Sequence, residues 1–354
     1  MSEAKMLPIK IDAAVMTECW THVKLSVTQA SPHGAAWLAS HFEIYMDNEY
    51  KIYFGHINQP FRMIHFAEIL SFKEIDILSI DPAHMADALI REINQNNYML
   101  INLLFEGNIF HYYLFHGYDK KTRMLYFARL IDGAFRQVSM SFDDVNKYYT
   151  DFYNYRLRNP EMFHSIGSNS YCLTKISVRD DYTGENCFED AFMRFDEEMR
   201  GSRYGISPYT DGAFGEEAYY YTGLACLKMM EVRVFEYLRD QEYIVVAGWY
   251  DNLLREMQLN FQKLSEHRYI ILCSMEWMTA QFTKIDGTIY PVIEEYKACC
   301  RTVKQIANLA TKFAMSKDWD ILRRIQTLIT GEYEKEKNIL SRFTFKMQNM
   351  YFNK

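Results

Sequence analysis

The chain has 354 residues, 49% hydrophobic and 24% charged, with a net charge of −7. That length makes one large domain or two ordinary ones, and the apolar content suffices for a core, which excludes a disordered chain. The spread acidic balance excludes a nonspecific nucleic-acid binder, which needs a basic face.

The opening MSEAKMLPIKIDAAVM lacks the apolar run of a secretion signal, and no stretch of about 18 uncharged apolar residues occurs. A cytoplasmic protein without a membrane span is expected. Seven cysteines (Cys19, Cys172, Cys187, Cys226, Cys273, Cys299 and Cys300) include no C-x-x-C pair. A zinc ribbon and a thioredoxin motif are therefore excluded, and free thiols are expected.

In chain order, ECWTHVKLSVTQ reads as a helix, and SPHGAAW breaks and restarts it. FEIYMDNEYKIYFG alternates around a DN turn, the pattern of a hairpin. DPAHMADALIREINQN is a helix with Asp81 as its cap and Pro82 in its first turn. Four strands follow: 98–105, 109–118, 124–131 and 134–142, linked by EGN, DKKTR and DG. These links are turn chemistry, so an antiparallel meander is expected. SFDDVNKYYTDFYNYRLRNP closes this half as a helix capped by Ser141 or Asp143. After one strand, YCLTKISV, apolar residues recur at three- and four-residue spacing in five segments, among them YYYTGLACLKMMEVRVFEYLRD and WDILRRIQTLITGEYEKEKNILSRF. The expected class is α+β, with a boundary near 158–172: residues 1–160 as one domain and 161–354 as a mainly helical second.

Cys19 stands where the first helix begins. Unpaired N–H groups and the positive dipole end lower a thiol's pKa there and can hold an oxyanion. In the second meander strand, His111, Tyr113 and Phe115 alternate with Tyr112, Leu114 and His116. Either His111 or His116 could serve as a general base to a cysteine on a helix packed against the sheet, but not both. Asp132, at the exit of the next strand, or Asp119, in the turn, would orient the imidazole. The other cysteines read as packing residues, and no metal-ligand spacing is present.

ECWTHVKLS, ALIREINQNNYMLINLL and FHYYLFHGYDKKTRMLYFARLIDGAF together resemble the papain-like fold of the bacteriocin-processing, C39-type cysteine peptidases. They more closely resemble the relatives of the butirosin-biosynthesis H protein. In that pattern a Cys opens the first long helix, a His begins a strand running into a Gly-Tyr-Asp turn, and an acid follows on the partner strand. The spacing from His111 to Gly117, 117 − 111 = 6, fits it and favours His111 over His116. The likeness covers roughly residues 10–155.

The resemblance implies a papain-like domain followed by a mainly helical half that covers the site. It implies an acyltransferase that forms an amide: Cys19 takes an acyl group from the phosphopantetheine thioester of an acyl or peptidyl carrier protein, and an amine receives it. Similar proteins of the closthioamide type join carrier-bound building blocks. His111 takes the base position, Asp132 the orienting position, and the N–H groups of residues 19 and 20 the oxyanion site. No bound cofactor or metal is implied. Lys120, Lys121 and Arg123 are candidate docking cations for an acidic carrier. Two features depart from the pattern: IDAAVMTE offers no Gln before the Cys, and Arg129 stands where the orienting acid often follows. Both favour an alternative, a catalytically dead scaffold that binds a partner. A leader-trimming C39-type peptidase is the other alternative, although such peptidases usually accompany membrane transporters.

Overall fold

A computed structural model describes residues 2–15, 17, 19–47, 49–56, 59–60, 66–105, 109–131, 134–159, 173–206, 217–246, 250–283 and 287–352. In chain order the elements begin β1 (Ala4–Met6), α1 (Cys19–Ala30), α2 (Gly34–Ser40), β2 (Ile44–Met46), β3 (Ile52–His56), β4 (Gln59–Pro60) and α3 (Phe66–Ile69). Next come β5 (Leu70–Ile75), α4 (Met85–Asn94), β6 (Tyr98–Phe105), β7 (Ile109–Asp119), β8 (Met124–Ile131), β9 (Ala134–Ser141), α5 (Phe142–Arg158) and β10 (Leu173–Val178). The remainder is α6 (Cys187–Arg200), β11 (Ser202–Ile206), β12 (Glu217–Thr222), α7 (Leu224–Arg239), α8 (Gln241–Val246), α9 (Tyr250–Ala280), α10 (Ile289–Ser316), α11 (Trp319–Ile329) and α12 (Glu332–Phe352).

The fold is mixed α+β, with antiparallel sheets and a helical C-terminal half. Two compact units form, and neither is one continuous segment: residues 1–34 with 66–183, and residues 35–65 with 184–354. The expected split at 160 therefore falls inside the first unit. The reason is β10, which lies between β5 and β6 and pairs with both, so the first sheet is completed only after residue 173. Of the expected boundary region, 158–172, residues 160–172 lie outside the described residues.

The first unit carries a seven-stranded sheet in the order β5-β10-β6-β7-β8-β9, with β1 beside the far end of β7. The meander expected from the turn residues is β6 to β9, in continuous antiparallel register apart from one slip in β7. Gly117 belongs to that end of β7: a Cβ there would lie 2.7 Å from Met6 Cγ and 2.9 Å from the Lys5 carbonyl, so glycine lets β1 approach. Asp81 caps a single 3₁₀ turn, accepting from Ala83 N at 3.0 Å, and α4 starts just after it. Ser141 caps α5, accepting from Asp144 N at 3.0 Å.

In the second unit a five-stranded sheet runs β11-β12-β2-β3-β4. The hairpin expected around DN is β2–β3, with Ile44 opposite Phe54. Asn260 of α9 clamps it, accepting from Ile52 N at 3.0 Å and donating to the Tyr50 carbonyl at 2.7 Å. The helix expected to start at YYYT starts instead at Leu224: the tyrosines form β12, where aromatic side chains suit a pleated surface, and Gly223, at φ 55, turns the chain into α7. The expected last helix is two, α11 and α12, broken at Gly331 with φ 80. α9 and α10 pack along each other, burying Phe261, Leu264, Ile271, Met275, Tyr296 and Val303. Among the described residues no helix is long and apolar enough to cross a membrane.

Candidate active site

α1 begins at Cys19, so the first-turn N–H groups of the helix surround that position, as the sequence led one to expect. The Cys19 side chain lies outside the described residues. From Thr21 to Thr28 every residue of α1 is buried, although five of these eight are polar: Thr21, His22, Lys24, Ser26 and Thr28. A helix buried for packing alone would be apolar all round. The Lys24 ammonium lies 5.5 Å from the ring centres of both Phe66 and Phe72.

The two sides of the first sheet can be told apart by register. Lys175 pairs with Met99 in register and with Glu92 of α4 at 3.0 Å, so α4 covers the Met99 side. Lys24 of α1 lies over Phe72, whose partner is Ile176, the neighbour of Lys175, so α1 covers the other side. Met99 faces Phe115, which places Phe115 and Tyr113 on the α4 side and Leu114 on the α1 side. Position 111 precedes Tyr113 by two residues in unbroken register, opposite Leu103. The His111 side chain lies outside the described residues, as does Asp132 altogether.

Arg129 shares this side with Tyr113. Its guanidinium donates to the Tyr113 hydroxyl and lies 5.0 Å from the ring centre. A cation thus stands beside the position where the resemblance puts an orienting acid. Asp119, the other candidate, is a turn residue: its carboxylate accepts from Lys121 N at 2.8 Å and Thr122 N at 3.3 Å. These bonds, that to Thr122 foremost, hold it below the usual carboxylate range.

His116 occupies the register slip between Phe115 and Gly117 and is buried. Its Nδ1 lies 3.3 Å from the Leu7 carbonyl, and its Nε2 has no hydrogen-bond partner among the described residues. Sequence reasoning missed a third histidine, His22, one helical turn after Cys19. It is fully buried, edge-on to Phe135 with ring centres 4.1 Å apart. Its Nδ1 lies 2.5 Å from the Val15 carbonyl, and its Nε2 likewise has no partner among the described residues. A carbonyl can only accept, so each Nδ1 carries the proton and each Nε2 presents a lone pair. Burial lowers both pKa values, against the carbonyls of Val15 and Ile11 for His22 and of Leu7 for His116. The signal available in the sequence was the i, i+3 spacing of Cys19 and His22, which puts two side chains on one helix face.

Three other thiols are unsuited to attack. Burial pushes Cys226 and Cys299 far up, and Cys300 up to about 12. Among the described residues no group of three or more His, Cys, Asp or Glu could hold a metal ion. No family model matches the chain, and no curated protein matches it.

Proposed function

We propose that the chain is a cysteine-dependent acyltransferase of papain-like type, moving an acyl group from a carrier-protein thioester to an amine. The observation that carries the reading is the start of α1 at Cys19, on a helix that is buried although it is rich in polar residues. The Cys19 sulfur attacks the thioester carbonyl and the phosphopantetheine thiol leaves. The amine then attacks the acyl-cysteine, forms the amide and releases the Cys19 thiol. N–H groups of the first turn of α1 stabilise the oxyanion in both steps. A histidine takes the thiol proton and gives it to the departing phosphopantetheine sulfur, then takes that of the amine and returns it to the Cys19 sulfur. The resemblance assigns this to His111 with Asp132 as its orienting acid, while His22 and His116 each present an unpartnered, neutral Nε2.

A second reading, a catalytically dead scaffold that binds a partner, is favoured by Arg129 at the expected position of the orienting acid. The mass of the intact protein after exposure to an acylated carrier protein separates the two. Under the first reading the wild type gains the acyl mass on Cys19 and passes it to an amine in preference to water, and Cys19→Ala does neither. A wild type that never acylates but cleaves peptides is a peptidase; one that does neither, yet binds the carrier with or without the thiol, is a scaffold.

A further inference from the structure

Within the second unit a small recess of about 20 Å³ is walled by Phe42, Tyr45, Glu43, Glu197, Glu198 and Thr222, with Arg194 beside it. Roughly 10–15 Å³ is enough for one water-sized group. Glu198 of α6 is only 4% exposed, and its Oε1 has no hydrogen-bond partner among the described residues, nor has the Thr222 hydroxyl. A buried acid left with a bare oxygen is costly, so the recess calls for a guest.

The chain is shaped around this carboxyl. Gly223 crosses it at φ 55, where a Cβ would come within 2.6 Å of the Glu198 carbonyl and 2.7 Å of its Oε2. The chemistry of the walls defines the guest. Arg194 is committed to Glu43, at 2.6 Å, and to Glu197. Arg194 is thus shared between two acids at the rim of the recess. Phe42 and Tyr45 offer aromatic surface, which attracts cations. Thr222 offers an acceptor. A metal ion is not favoured, since no suitable group of three ligands exists among the described residues. A carboxyl, a hydroxyl and aromatic walls around space for one heavy atom or two are the features that recognise a primary ammonium group.

We propose that this recess binds the ammonium head of a small primary amine, with Glu198 as its counter-ion. The guest arrives as R–NH₃⁺, Glu198 gives up its carboxyl proton to solvent, and the ion pair forms with release of one proton. Other groups face Glu198 as well. His267 of α9 lies 3.5 Å from its Oε2, donating mainly to the Phe42 carbonyl, and its other ring nitrogen receives from Arg268 at 2.9 Å. Arg268 is itself paired with Glu336 of α12 at 3.0 Å. Burial raises the Glu198 pKa to about 8, with Glu336 and Glu43 adding to the rise and Arg268 opposing it. The empty site is therefore protonated at neutral pH, and the proton release follows from that state.

The test is titration calorimetry of the full chain with methylammonium chloride, with sodium and tetramethylammonium chlorides as controls, from pH 6 to 9. Methylammonium should bind about tenfold more tightly per pH unit up to about pH 8 and level off above it, and the controls should give no saturable heat. Glu198→Gln, which keeps the shape, should lose the pH dependence and at least tenfold in affinity. Thr222→Val should weaken binding and keep the pH dependence. Absence of methylammonium binding across the range, equal binding of sodium, or unchanged binding by Glu198→Gln with its melting transition intact would each overturn the proposal and leave a recess that holds only water.

Discussion

Arg129 and Tyr113 hold each other: the guanidinium donates to the tyrosine hydroxyl and lies 5.0 Å from the centre of its ring. The hydroxyl is raised by burial and lowered by this cation. Arg129 therefore serves the packing of β7 and β8, and Arg129→Gln should cost about 1–2 kcal/mol of stability while changing Cys19 acylation only a few-fold. A loss as complete as that of Cys19→Ala, with the fold intact, would assign Arg129 to the chemistry instead.

Iodoacetamide should alkylate Cys19 ahead of the other thiols. Burial pushes the thiols of Cys226, Cys299 and Cys300 up, whereas a thiol at a helix start titrates below the ordinary value of about 8.5. Peptide mapping after brief labelling at pH 7.5 checks this. Preferential labelling of Cys226 with Cys19 inert would remove the enzyme reading.

The three histidines separate by substitution. His111→Ala, His116→Phe and His22→Phe should be compared in the rate of Cys19 acylation, with melting as the control for folding. Removal of the base should lower the rate by about 10²–10⁴, and the other two should do much less. The unpartnered Nε2 of His22, on the helix that carries Cys19, predicts that His22→Phe does more than the resemblance allows. A loss confined to His111→Ala would return the base to the strand, as the resemblance has it.

The buried pair of Arg268 and Glu336, both 0% exposed and 3.0 Å apart, should be costly to break from one side. Glu336→Gln leaves a guanidinium stranded in the core, at about 3–5 kcal/mol. Replacing both residues with methionine should recover most of that. Urea unfolding of the three proteins reads the difference. If Glu336→Gln unfolds like the wild type, the guanidinium has another counter-ion, and Glu198 is next in reach.

Stability should peak near neutrality because buried groups pull in opposite directions. His22 and His116 titrate lower in the fold than the ordinary 6.5. Below 6.5 the unfolded chain takes up protons that the folded chain refuses, so stability falls on acidification through that window. Glu198 does the reverse: from 4.5 to about 8 the folded chain keeps a proton that the unfolded chain releases, so stability falls as pH rises through that window. In urea midpoints measured from pH 5 to 9, His22→Phe should flatten the acid limb and Glu198→Gln the alkaline one. Unchanged limbs in both variants would refute the assignment.

The meander was legible because its links carry turn chemistry and its strands alternate. The helices of the second half were legible from their three- and four-residue spacing. In the second sheet the β2–β3 hairpin was legible from its DN turn, but β11 and β12 were not: β11 is short, and the tyrosines of β12 run straight into an amphipathic helix, so only Gly223 marks the change. The order of the sheet was illegible for another reason. Nothing local in LTKISV says that it lies between β5 and β6, since that pairing is a long-range choice made by packing. For the candidate site the sequence pointed to Cys19 and to the strand of His111. It could not show which side of the sheet α1 would cover, and on that choice depends whether a strand histidine meets the helix.

Because the chain passes from one unit to the other three times, at residues 34–35, 65–66 and 183–184, neither unit can mature as it leaves the ribosome. The first waits for β10 to fill the gap between β5 and β6. The hairpin of β2 and β3 emerges early and gains β4 at once, but its β2 edge has no neighbour until β12 is made, and its two backbone bonds to Asn260 form later still. For most of translation its outer edge is an unpaired strand, the feature that most invites association with another chain. Newly made protein should therefore depend on chaperones to a degree that the finished molecule does not, and shortening it from either end should leave an unpaired edge in place of a smaller working unit.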